Sequence, residues 1–113
     1  MDSTRTPTRR WPLLRVVVSG SSMEPTLSDG DWLLCRFLSS TDRLEEGDVV
    51  VARRPDRPEL LVVKRVVRRE RDGWWLEGDN AAASDDSRLF GVVPDDCMVA
   101  RVFVRYLPLP RRV

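Results

Sequence analysis

The chain has 113 residues, of which 42% are hydrophobic and 33% charged, and its net charge is +1. This length and composition predict one ordinary globular domain and argue against a dedicated nucleic-acid-binding protein. Arginine carries nearly all of the positive charge, because Lys64 is the only lysine and histidine is absent. The missing histidine excludes Ser-His-Asp and Cys-His catalysis, so Lys64 is the one side chain that could act as a nitrogen base.

Short runs rich in β-branched residues, separated by Gly, Asp and Pro, predict a mostly β, antiparallel fold with little helix. We expect a disordered basic arm over residues 1–12, a single domain over 13–107 and a basic tail over 108–113. The Asp72-Gly73 pair predicts a hairpin between the fourth and fifth strands. In chain order, the predicted strands are Arg15–Val18, Asp31–Phe37, Asp48–Ala52, Leu60–Arg68, Trp74–Glu77 and Met98–Tyr106.

No run approaches the roughly 20 apolar residues that a transmembrane helix needs, and no export signal is recognisable. The sequence therefore predicts a protein without an integral membrane anchor, located in the cytoplasm, and we expect a monomer. Cys35 and Cys97 are far apart in the sequence and lie in apolar surroundings. With no histidine to join them, we expect neither a metal site nor another cofactor.

Lys64 lies in the predicted strand Leu60–Arg68, where alternation gives it the same face as Val62 and Val66. Such an apolar face disfavours the charged form of an amine. Upstream, residues 19–22 read Ser-Gly-Ser-Ser, which could expose a hydroxyl and leave backbone N–H groups free to bind an oxyanion. Alone, this turn is more typical of a flexible loop, but a neutral lysine within reach would make the hydroxyl a nucleophile.

Several short motifs follow one another along the chain. They are Ser-Met-Glu-Pro-Thr-Leu at 22–27, Gly-Asp at 30–31, Gly-Asp-Val-Val at 47–50, Lys-Arg at 64–65, Gly-Asp-Asn at 78–80 and Ser-Asp-Asp-Ser-Arg at 84–88. In these motifs and their order, the chain resembles the bacterial signal peptidase I family of Ser/Lys proteases over residues 16–105. The resemblance implies a small antiparallel β-barrel-like fold of the signal peptidase and LexA-like type, and the activity of a serine endopeptidase.

The same resemblance implies roles for individual positions. Ser22 would be the nucleophile and Lys64 the general base, with the hydroxyl of Ser84 orienting the amine. Other positions would brace the site as a structural network (Arg65, Asp79, Asn80, Asp86 and Arg88) or shape the substrate cleft (Met23 and Pro25).

The oxyanion would be bound by the turn before the nucleophile, at Gly20 and Ser21. Some members of the family carry a serine at the position of Gly20, and its hydroxyl helps to bind the oxyanion. Here the backbone N–H of Ser22 would take that role, with Ser19 and Ser21 as further candidate donors.

Small members without an anchor resemble the maturation protease of nickel-type superoxide dismutase. The resemblance therefore implies that the chain removes a short N-terminal propeptide from that dismutase precursor. One alternative is signal peptidase I-like processing of exported preproteins. Another is a self-cleaving repressor-type protease, but residues 1–21 contain no Ala-Gly or Cys-Gly bond. The non-enzymatic alternative is a β-barrel adaptor or nucleic-acid-binding module, which would use arginines with Trp11, Trp32, Trp74 and Trp75.

Overall fold

The computed structural model describes residues 13–39, 42–108 and 110–113, so the predicted arm over 1–12 lies outside the described residues. Among these residues, helix is limited to the short α1 (Ser87–Phe90) and to two 3-10 turns, Ala81–Ala83 and Asp95–Cys97. In the part of the chain described, no helix has the length and apolar character needed to cross a membrane. The strands are β1 Leu13–Val17, β2 Trp32–Phe37, β3 Val49–Arg54, β4 Arg57–Glu70, β5 Gly73–Glu77, β6 Met98–Leu107 and β7 Arg111–Arg112.

These strands form one sheet in the order β1-β2-β6-β3-β4-β5, with β7 paired to β6. Every pairing is antiparallel. The mostly β, antiparallel fold predicted from the sequence is confirmed. Within the described ranges the sheet is not closed, since no pairing joins β1 to β4.

Two hydrophobic clusters pack on opposite sides of β3. Val49 and Val51 enter the first cluster with residues of β2 and β6, whereas Val50 and Ala52 enter the second with Leu76 of β5. An uninterrupted apolar run suits a strand that is buried on both faces. Because β4 pairs with β3 over most of that run, the core holds β4 in a defined position.

Three segments differ from the sequence-based expectation. The hairpin expected at Asp72-Gly73 is present, but its loop is residues 71–72, because Gly73 already pairs with Glu70. Strand β4 begins at Arg57, since residues 55–56 form a second hairpin turn after β3. Residues assigned to the basic tail include β7, and Val113 packs against the first hydrophobic cluster.

Candidate active site

The two residues expected to carry the chemistry meet beside a groove. Lys64 Nζ donates a hydrogen bond to Ser22 Oγ over 2.9 Å. Lys64 comes from β4, where it pairs with Val50 of β3, and Ser22 comes from the turn after β1. Only 4% of the Lys64 surface is exposed. The amine and the hydroxyl therefore have the geometry that a proton transfer requires.

Burial lowers the pKa of Lys64 below its ordinary value, because leaving water penalises the charged amine. The carboxylates of Asp86 and Asp85 act in the opposite direction, whereas Arg54 and Arg88 add to the lowering. Desolvation is the largest of these effects, so the net direction is towards a neutral amine. A neutral amine is the form that can accept a proton.

The turn that carries Ser22, residues 20–27, is tied to the loop that follows β5. The backbone N–H of Asn80 donates to the carbonyl of Ser22 over 2.8 Å. The side-chain amide of Asn80 donates to the carbonyl of Ser21 over 3.0 Å. These two bonds hold the peptide units on both sides of the Ser22 α-carbon in place.

Gly78 belongs to the Gly-Asp-Asn motif, but sequence analysis did not assign it a role in the site. A Cβ atom at this position would lie 2.6 Å from the carbonyl oxygen of Ser22 and 2.3 Å from Ser84 Oγ. Only glycine allows the loop to approach the turn so closely. A glycine directly after a strand is the signal that could have indicated this close contact.

Arg65 and Asp79 link β4 to the same turn. The guanidinium of Arg65 contacts both carboxylate oxygens of Asp79, at 2.8 and 2.7 Å, and the hydroxyl of Thr26 donates to Asp79 over 2.6 Å. The hydrogen bond from Arg65, helped by that from Thr26, lowers the pKa of Asp79 against the effect of burial. The carboxylate therefore stays charged and keeps the turn attached to the strand that bears Lys64.

Asp86 is fully buried and is the centre of a second network. It accepts hydrogen bonds from the backbone N–H of Gly78 (2.8 Å), from Ser84 Oγ (2.6 Å) and from Arg88 Nε (2.9 Å). Burial raises the pKa of Asp86, but the hydrogen bonds from Arg88, Ser84 and Gly78 outweigh it and hold the pKa below its ordinary value. A charged carboxylate thus joins the strand end, the loop and α1.

Ser84 has a different partner from the one expected. Its hydroxyl donates to Asp86, and among the described residues no hydrogen bond joins it to Lys64. The physical reason is that the buried carboxylate two residues away is a strong, charged acceptor. A direct hydrogen bond from Ser84 is therefore not what orients the amine in this structure.

The backbone N–H groups of Gly20 and Ser22 differ in whether they already make a hydrogen bond within the protein. Gly20 has a φ of +91°, which favours glycine, and its N–H donates to Asp29 Oδ1 over 2.7 Å. The N–H of Ser22 makes no hydrogen bond to any residue that the structure describes. Ser21 is exposed, and Ser19 lines the groove beside Ser22. The Ser22 amide remains the predicted oxyanion donor.

The groove beside the pair lies between β1 and β4 and has a volume of about 370 Å³. Its walls are mostly apolar, with residues 14–18 on one side and 61–63 on the other. In the described residues, β1 pairs only with β2, and this part of β4 pairs only with β3. Met23 lines the groove while packing into the first hydrophobic cluster. Pro25 is exposed and is not among the lining residues, so it does not shape this groove.

Comparison with known proteins defines the class as a peptidase. The profile of the Peptidase S24-like family matches residues 6–98, and the chain belongs to this family. The chain is 37% identical over 115 residues to mitochondrial inner membrane protease subunit 1 of Xenopus tropicalis, covering 83% of this chain and 69% of the relative. The human protein of that name is 33% identical over 115 residues, with the same coverage. Mitochondrial inner membrane protease subunit 2 of Schizosaccharomyces pombe is 31% identical over 116 residues, covering 83% and 64%.

These relatives correct the expectations about location and substrate. The predicted cytoplasmic location is wrong, since the relatives are named as proteases of the mitochondrial inner membrane. The relatives also give no support to the precursor of nickel superoxide dismutase as the substrate.

Proposed function

We propose that this protein is a serine endopeptidase with a Ser22–Lys64 dyad that processes protein precursors in the manner of signal peptidase I. The proposal rests on the 2.9 Å hydrogen bond between the buried amine and the hydroxyl, in a chain of the Peptidase S24-like family. The names of its relatives favour precursors that are processed at a membrane, by a protease with a partner subunit. This function replaces the maturation of nickel superoxide dismutase.

In the proposed mechanism, Lys64 takes the proton of Ser22 as Oγ attacks the scissile carbonyl. The N–H of Ser22 stabilises the negative charge that develops on the carbonyl oxygen. The ammonium then gives its proton to the leaving amine, and an acyl-enzyme remains. Water next loses a proton to the same amine and attacks the ester, which releases the product and restores the Ser22 hydroxyl.

The groove supports the binding of an extended substrate. Strands β1 and β4 present unpaired edges on its two sides within the described ranges, and the apolar walls lead to Ser22 and Lys64. A peptide in this groove can form backbone hydrogen bonds with the strand edges while its side chains contact the walls. Main-chain pairing of this kind aligns one peptide bond with the hydroxyl.

The contacts of Trp74 and Trp75 argue against the nucleic-acid-binding alternative. The guanidinium of Arg69 lies 5.0 Å from the ring centre of Trp74, and that of Arg68 lies 4.6 Å from the ring of Trp75. Both arginines are also paired with acidic residues. One face of each ring is therefore occupied by a guanidinium, and the charges of these two arginines are balanced by carboxylates.

The test compares the purified protein with its Ser22→Ala and Lys64→Arg variants. We expect both variants to lose cleavage, by about 10³-fold or more in kcat/KM, because Arg keeps the charge but cannot supply a neutral base. Ser39→Ala is the matched control, since this exposed hydroxyl bonds to Asp42 and lies outside the groove. A Lys64→Arg variant that cleaves at the original rate would refute the dyad.

The substrate is tested by offering two precursors side by side and mapping the cuts by mass spectrometry. One is an exported preprotein and the other is the precursor of nickel superoxide dismutase. We expect cleavage of the preprotein. Cleavage of the dismutase precursor alone would contradict the proposed substrate class while leaving the dyad intact.

A further inference from the structure

Arg15, in β1, differs from the other residues that line the groove in carrying a permanent charge. Among the described residues, the lining includes one more basic group, the amine of Lys64, and no carboxylate. Burial lowers the pKa of that amine, which favours its neutral form. The side chain of Arg15 is exposed, and a guanidinium stays protonated at any working pH. The charge that a peptide meets in the groove is therefore positive.

The guanidinium of Arg15 has no partner within the part of the chain that the structure describes, since it makes neither a hydrogen bond nor an ion pair there. Arginines elsewhere in the fold are bound to carboxylates, as Arg65 is to Asp79 and Arg88 is to Asp86. A carboxylate can accept two parallel hydrogen bonds from a guanidinium. Arg15 is thus available to an acidic side chain that a ligand brings into the groove.

Burial along β1 shows which way Arg15 faces. Leu13, Arg15 and Val17 are exposed, whereas Leu14 and Val16 pack against the first hydrophobic cluster. A peptide that pairs with the β1 edge continues the sheet, so its own side chains alternate between the same two faces. Side chains opposite each other on one face of paired strands lie about 5 Å apart at Cβ. Every second side chain of the peptide therefore lies on the face of Arg15, away from the core.

We propose that Arg15 is a specificity-determining residue: it selects substrates that carry an acidic side chain on the face of the bound segment that points away from the core. The inference rests on the proposed function and narrows its substrate class to precursors with a carboxylate in the bound segment. Arg15 lies outside the motifs that carry the resemblance, so its charge is a property of this chain.

Binding tests the inference first, in the Ser22→Ala variant so that the peptides stay intact. The probes are labelled synthetic peptides of Ala and Thr with a single central Glu, Gln or Lys, and fluorescence anisotropy at low ionic strength measures their dissociation constants. Relative to the Gln peptide, we expect the Glu peptide to bind about threefold more tightly and the Lys peptide about threefold more weakly, as for an exposed ion pair. Added salt should bring the three values together.

Reversing the charge should reverse the order. We expect Ser22→Ala/Arg15→Glu to bind the Lys peptide most tightly, a gain that misfolding would not produce. Arg36→Glu in the same Ser22→Ala background is the matched control, because Arg36 is exposed on β2, pairs with Leu13 of β1 and does not line the groove. This control should keep the original order. The inference is overturned if Arg15→Glu leaves the order unchanged, if Arg36→Glu also reverses it, or if no peptide binds.

Cleavage tests the face on which the acidic side chain lies. Peptides that span the cut mapped in the exported preprotein carry one Glu at each position in turn, and the scissile bond fixes their register. We expect kcat/KM to rise about threefold for Glu at one position, or at two positions separated by one residue, and the gain to vanish in Arg15→Gln. Equal gains at adjacent positions would contradict binding on one face.

The failure of this inference is distinguishable from failure of the proposed function. If Ser22→Ala still cleaves, the dyad is refuted whatever the order of peptide binding. If Ser22→Ala is inactive and Arg15→Glu leaves the order unchanged, the dyad stands and only the role of Arg15 is refuted.

Discussion

At the scale of single residues, burial of the Lys64 amine suits it to catalysis but reduces the stability of the folded chain. Its amine is almost fully buried, and burial lowers its pKa because water no longer solvates the charge. Below its folded pKa, the chain must hold a charged amine in poorly solvated surroundings. The protein therefore gives up stability at neutral pH in order to keep a base beside Ser22.

We expect Lys64→Met to abolish cleavage and to raise the free energy of unfolding at pH 7, because methionine fills similar space without a charge to desolvate. The pKa of Lys64 is lower in the folded than in the unfolded chain, so the penalty is complete below the folded pKa. It disappears as the pH rises towards 10.5, the ordinary value. Urea unfolding at pH 7 and pH 9 measures this, and the advantage of the variant should shrink at pH 9. A variant that is less stable at pH 7 would contradict the prediction.

The motif order suggested that Ser22 and Lys64 belong to one site, and the structure places their side chains 2.9 Å apart. Their catalytic roles stay a prediction. Sequence reasoning did not find the bond between Ser84 and Asp86. Whether the Ser84 hydroxyl bonds to Asp86 or to Lys64 depends on the burial and charge of these groups in the folded chain, which the sequence does not give. The sequence also did not show that Met23 packs into the core while Pro25 is exposed and does not line the groove.

At the scale of elements, the Ser22 turn owes its position to the loop after β5. Asn80 donates hydrogen bonds to two carbonyls of the turn, and Asp79 accepts one from Thr26. Gly78 allows the loop and the turn to lie in close contact. The strands were predictable because runs such as residues 49–51 consist of apolar, β-branched residues. Helix α1 was not, since four residues are too few for a helical period and only the cap at Asp86 marks it.

We expect Gly78→Ala to push the Ser22 turn away from Lys64, because the new Cβ would lie 2.6 Å from a backbone oxygen that Asn80 holds. The cost is about 1–3 kcal/mol of unfolding free energy, as for other overpacked sites. Cleavage should fall even at a temperature at which the variant is fully folded, because the Ser22 turn is displaced. Measuring kcat at that temperature separates this effect from the loss of stability. Gly91→Ala is the control, because a Cβ there meets nothing within 4 Å and only the positive φ is strained. Equal losses in both variants would argue against the close contact.

At the scale of the whole molecule, the sheet formed by the described residues leaves a gap between β1 and β4 that is wide enough to be considered for a further strand. The first hydrophobic cluster fills the space beneath it, with Val63 and Val16 packed at its margin. A bound peptide would extend the hydrogen bonding of the sheet on one or both sides. A substrate bound in this way would bring the sheet closer to the barrel-like form that the resemblance implies.

A peptide bound to both edges must direct successive backbone N–H groups to opposite walls, because strand residues alternate. We therefore expect N-methylation of any amide within the bound segment to weaken binding, by about fivefold for each hydrogen bond lost. Competition against a cleavable peptide measures the inhibition constants. Methylation beyond the groove is the control. Losses at every second position only would mean that one edge alone binds, and no losses would refute strand-like binding.

The scarcity of lysine has a consequence for the chemistry of labelling. A reagent that acylates lysine finds a single side-chain amine on this chain, and that amine is buried beside the groove. Only unprotonated amines react. The environment that favours the neutral form of Lys64 therefore also makes it reactive towards a small electrophile that enters the groove. The fraction of molecules that gain the mass of one acyl group on a side chain would measure the fraction of intact sites in a preparation.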